Sequence, residues 1–100
     1  MMIPYKFRLG THTFRVSQPL SLPRGMLGQA FFCPPYQVQV ATHSSLRLRR
    51  RTPVQRAETF WHEVTHAILH DMEHPLWKNE QFVTQFSKRL NQVVQTAKLS

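Results

Sequence analysis

Thr52-Pro53-Val54-Gln55-Arg56-Ala57-Glu58-Thr59-Phe60-Trp61-His62-Glu63-Val64-Thr65-His66-Ala67-Ile68-Leu69 is the stretch that organises the whole chain. It opens with a hydroxyl, then a proline, and a glutamine stands three residues after the threonine. A helix N-terminus is built in that order. Thr52 can accept from a first-turn amide, Gln55 can reach back to the Thr52 amide, and Pro53 lacks an amide that no helical carbonyl would have used. Val54, Ala57, Trp61, Val64, Thr65, Ile68 and Met72 follow at steps of three and four, so the spacing predicts an amphipathic helix burying that stripe. Pro75 disfavours helical backbone before it, which ends the helix near Glu73 and gives it the span 52–73.

A second helix is expected over 79–98, with Asn79 as its cap and Phe82, Val83, Phe86, Leu90, Val93, Val94 and Ala97 as its apolar stripe. The connection between the helices is short, which makes them antiparallel neighbours, with Phe82 and Phe86 facing Ile68 and Trp61. Upstream, residues 1–51 read as a strand region. Lys6-Phe7-Arg8-Leu9 and Thr13-Phe14-Arg15-Val16 alternate apolar with polar around Gly10-Thr11, a hairpin signal. Residues 26–33, between Gly25 and Pro34, give a third strand, and Tyr36-Gln37-Val38-Gln39-Val40-Ala41 a fourth. Leu46 and Leu48 alternate with arginines and either add a short strand or pin a loop. The fold class expected is α+β: one domain over 1–100, a small antiparallel sheet of three to four strands packed on two antiparallel helices.

The chain has 100 residues, 41% of them hydrophobic, which suffices for one core but leaves burial alone only marginally stabilising. Cys33 is the single cysteine, so an intramolecular disulfide is excluded and secretion gains no support; packing as a small hydrophobe is its expected role. The opening residues lack the apolar run of a signal peptide, and no stretch approaches the roughly 20 apolar residues of a membrane span. A soluble, cytoplasmic protein without a membrane partner is the expectation. The net charge of +8 favours polyanionic contacts, with nucleic acid a candidate partner through Arg47, Arg49, Arg50, Arg51 and Arg56. Such a run also serves simply as solvated surface, and no aromatic residue is interleaved in it to stack on bases.

His62 and His66 are four residues apart, so on a helix their side chains stack on one face and can close on one metal ion. Zn2+ is the expected ion. Glu63 lies one step round, placed to take a proton from a water whose pKa the zinc lowers and to pass it to a leaving amine. A hydrolytic zinc site takes three protein ligands. His70, Asp71, Glu73 and His74 sit too far along the helix or in the wrong sector. Glu80, in the first turn of the second helix, is therefore the expected third ligand, with Glu73, His74 or water as its rivals. Its ordinary alternative role is compensation of the helix dipole. His12 and His43 are expected at the surface, His70 and His74 at a helix end, and Tyr36 in packing or at a substrate carbonyl.

The run Glu58-Thr59-Phe60-Trp61-His62-Glu63-Val64-Thr65-His66-Ala67-Ile68-Leu69, with Asn79-Glu80-Gln81-Phe82-Val83 after it, resembles small HExxH proteins of phages and prophages. These are similar to compact gluzincins, including the IrrE-like and SprT-like metallopeptidases. The likeness covers residues 53–97 and implies a minimal zincin-like domain with a peptide laid along an edge strand. It implies His62, His66 and Glu80 as ligands and Glu63 as the base. Relatives often carry a second acidic residue where this chain has Thr84. The function expected is a zinc-dependent endopeptidase, phage- or prophage-encoded, cutting peptide bonds in a specific protein target, with a protein or peptide as its substrate. The alternative is a catalytically silent relative that binds a host protein or nucleic acid through its basic surface.

Overall fold

Gly10 adopts φ 61°, the left-handed conformation that a tight hairpin turn needs and glycine supplies without a Cβ penalty. It joins β1 (Lys6–Leu9) to β2 (His12–Ser17), which pair antiparallel with Phe7 opposite Phe14. The computed structural model describes residues 3–44 and 49–98. Beyond β2, a connection containing a 3-10 turn at Pro23–Gly25 leads to β3 (Gly28–Phe31), and β4 (Gln37–Val40) follows. Two short strands, β5 (His43–Ser44) and β6 (Arg49–Arg50), pair with each other. The α+β class is as expected: a four-stranded sheet packs against two helices, α1 (Pro53–Asp71) and α2 (Glu80–Thr96).

The sheet is mixed, which corrects the all-antiparallel expectation. Its order is β1-β2-β4-β3, and β2 runs parallel to β4, with Val16 opposite Val38. The connection after Ser17 carries β3 past β4's place to the outer edge, and β4 then turns back between β2 and β3. Local alternation marks strands but not which strand intervenes. Val38 and Val40 point inward and are fully buried, joining Phe14, Phe60, Val64 and Ala67 in the core. Phe7 stacks on Phe14 and takes the edge of Phe60, which clamps the hairpin onto α1.

Thr52 caps α1 through the reciprocal bonds expected of it: its hydroxyl accepts from the Gln55 amide, and the Gln55 side chain accepts from the Thr52 amide. The other end closes two residues before Glu73, with Glu73 in the left-handed region at φ 54°. The amide of His74 donates to Leu69 and that of Glu73 to His70, a Schellman arrangement that uses up the last carbonyls. The buried arc of α1 is rotated from the expected stripe. Ala57, Val64 and Thr65 are buried, but Val54, Ile68 and Met72 are exposed, and Phe60, Glu63 and Ala67 take their place. The helix touches the sheet on one side and α2 on the other, so its buried sector is wider than one stripe and centred elsewhere.

The helices are antiparallel, because Glu80 reaches His62 and His66 while Lys88, farther along α2, reaches back to Glu58. The inner face of α2 is Val83, Ser87 and Asn91, small enough to bring the helices close. Phe86 is 48% exposed and stacks with Phe82, contrary to the expected packing on Ile68 and Trp61. No helix among the described residues is long and apolar enough to cross a membrane. Leu46, Leu48 and Arg47 lie outside the described residues.

Candidate metal centre

His62 and His66 stand on successive turns of α1 and turn their rings toward one point. Their Nε2 atoms are 3.2 Å apart. Asn79 caps α2 by accepting from the Phe82 amide at 2.9 Å, and this fixes the first turn that carries Glu80. The Glu80 carboxylate then spans both rings: Oε2 lies 3.0 Å from His62 Nε2 and Oε1 2.8 Å from His66 Nε2. The structure thus brings together the three residues singled out as ligands in the sequence. Glu63 sits beside them; ligand atoms of His62, Glu63 and His66 all lie within 4.8 Å of one another. Of the two carboxylates, Glu80 makes the closer contacts with both rings.

The environment differs sharply from one group to the next. The His66 side chain is 12% exposed and that of Glu80 68%. His66 Nδ1 lies 2.6 Å from the Trp77 carbonyl oxygen, a group that can only accept. In the neutral ring the hydrogen is therefore on Nδ1, and Nε2 presents its lone pair to Glu80 and His62. Burial lowers the pKa of His62, and the exposed Glu80 carboxylate does not offset it. Burial pushes the Glu63 carboxyl up to about 7, opposed by His66 and assisted by Glu80.

Position matters as much as charge. Gly28 on β3 lies so close to α1 that a Cβ there would stand 2.5 Å from Thr59 Cγ2 and 3.1 Å from Glu63 Cγ. The missing side chain lets the edge strand pass directly beside Glu63. A cleft of about 800 Å³ opens over this place, lined by Met26, Leu27 and Gly28 on one side and by His62, Glu63 and Glu80 on the other. Thr84 also lines the cleft; the acidic group at the rings is Glu80, one turn earlier.

The remaining candidates fall elsewhere. His70 stacks on Phe32 at 4.4 Å and meets Trp77 edge-on at 4.8 Å, and the His74 ring accepts from the Leu76 amide at the start of a 3-10 turn, Pro75–Lys78. Tyr36 packs on Phe14 and His12. Cys33 is exposed, a correction to its expected burial. Arg51 departs furthest from expectation. It is only 8% exposed and donates to the carbonyls of Leu27, Ala41 and Gln55 and to the Thr59 hydroxyl, so it is not available as surface for a polyanion. Arg56 is half-buried and bonds Gln18 at 3.2 Å, while Arg49 and Arg50 are exposed on β6. Glycine in a strand region signals close backbone approach and could have pointed to Gly28; no sequence signal marks the Trp77 carbonyl or the burial of Arg51.

Comparison of the chain with protein-family models, with curated proteins and with solved structures finds no match.

Proposed function

We propose that this chain is a zinc-dependent peptidase in which His62, His66 and Glu80 hold the ion and Glu63 carries the proton. The observation that supports it is the convergence of two imidazole Nε2 atoms and a carboxylate within 2.8–3.2 Å of one another. With its hydrogen committed to Trp77, neutral His66 turns its Nε2 lone pair on the Glu80 carboxylate. A cation among them turns that repulsion into coordination, and two imidazoles with one carboxylate are donors that zinc takes in hydrolytic sites. When bound, zinc supplies Lewis acidity and lowers the pKa of water in its open position.

The protein's own part is proton handling and placement. Glu63 is buried next to the ligands, placed to take a proton and return it to a leaving amine, and in the metal-free chain burial holds its pKa at about 7. Burial also limits the water that competes for the carboxylate. The Trp77 carbonyl holds His66 in one orientation, so the ligand set is preorganised by backbone. The edge strand at Gly28 offers unpaired backbone along the cleft to an extended peptide.

The test is cleavage of a degenerate peptide mixture by zinc-loaded protein, read by mass spectrometry. Wild type should cut, and Glu63→Gln should lose roughly 10²–10⁴ of the rate while keeping its zinc. Equal cutting by both proteins, or none by either, removes the peptidase reading.

A further inference from the structure

Arg49, Arg50 and Arg51 all line the cleft that contains His62, Glu63 and Glu80. Among the described residues, no carboxylate lies within ion-pairing distance of any of the three; the recorded pairs join Glu80 to the two histidines and Glu58 to Lys88. Arg51 is buried with its Nη atoms bonded to carbonyls and a hydroxyl, and Glu58 acts on its charge from beyond ion-pairing distance. An arginine does not shed that charge. The bond to Thr59 places the guanidinium one helical turn from Glu63, about 6 Å along α1, which two residues of extended peptide would span. Arg49 and Arg50 are exposed beside it on β6.

We propose that this arginine strip selects the substrate: an Asp or Glu side chain docks on Arg49 and Arg50, helped by the field of Arg51, within a few residues of the peptide bond held at the metal centre. The placement of the reacting bond rests on the peptidase reading; the preference for an acidic side chain does not. Peptide fits better than nucleic acid for two reasons on the cleft wall. Among the described residues no Phe, Tyr or Trp lines it to stack on a base, and Glu58 and Glu80 would repel a continuous phosphate chain while tolerating a single carboxylate near the arginines. Met26 and Leu27 add apolar surface for the neighbouring side chains.

The test uses two fluorescein-labelled degenerate heptapeptide mixtures that differ only in a fixed central Glu or Gln. Anisotropy is measured against the Glu63→Gln protein, with and without added zinc, so that neither turnover nor metal is required for the readout. The Glu mixture should bind about fivefold more tightly than the Gln mixture, as one charge pair in a partly enclosed cleft allows. Arg49→Gln/Arg50→Gln, which alters exposed side chains and leaves the Arg51 staple intact, should erase that preference without changing the far-ultraviolet circular dichroism. Equal binding of the two mixtures, or a preference that survives the double substitution, overturns the proposal. So does displacement of the Glu mixture by a single-stranded oligodeoxynucleotide with a steep salt dependence, which would assign the arginines to phosphate.

Discussion

Glu63 is a carboxyl group with little water around it, and its protonation is tied to folding. Its pKa rises from 4.5 to about 7 on burial, so the folded chain holds a proton that the unfolded chain has already released. The stability this gives is complete below about pH 4.5 and is lost as the pH rises through about 7. Gln is neutral at every pH. Metal-free wild type and Glu63→Gln should therefore melt alike near pH 4.5, and above pH 7 the variant should melt a few degrees higher. The opposite shift of His62 is present in both proteins and drops out of the comparison. Parallel melting curves across that range would contradict the burial argument. At this scale the sequence was legible where a helix fixes the spacing: His62, Glu63 and His66 lie within about one turn, and geometry follows from the turn. Arg51 was illegible because its neighbours Arg49 and Arg50 have the same side chain with opposite exposure, and only tertiary carbonyls distinguish them.

The helices were legible to within a few residues because caps are local chemistry. Thr52, Gln55 and Asn79 each make the bond that their position in the sequence predicts. The sheet order was not legible, since nothing in the alternation of β3 or β4 says that β4 lies between β2 and β3. The inner face of α2 was also missed: Ser87 and Asn91 are buried for close approach, and hydrophobicity points to Phe86 and Val93 instead. The caps give a separable pair of outcomes. Asn79→Ala and Thr52→Ala should each cost about 1 kcal/mol in urea unfolding. Only Asn79→Ala should weaken zinc binding in a chelator competition, because it loosens the turn holding Glu80, whereas Thr52 lies nearly three turns from His62. Equal zinc affinity in the two variants would mean that the α2 cap does not position the ligand.

Across the whole molecule, the proposed metal centre joins elements that are distant in the chain. Two ligands come from the middle of α1 and one from the start of α2, with the edge of the sheet passing beside them at Gly28. A radius of gyration of 13.4 Å is ordinary for this length, and the buried core is a handful of side chains, so a cross-link between the helices should matter to folding. The net charge of +8 was visible from composition, yet its division into a buried staple, a cleft wall and a half-buried Arg56 required the fold. The central claim is that His62, His66 and Glu80 form one zinc site, and it is tested most directly by elemental analysis after equilibration with zinc and exhaustive dialysis. Wild type and His70→Ala should each retain about one zinc per chain, and His66→Ala should retain none. Zinc absent from wild type, or held as well by His66→Ala, would contradict the account.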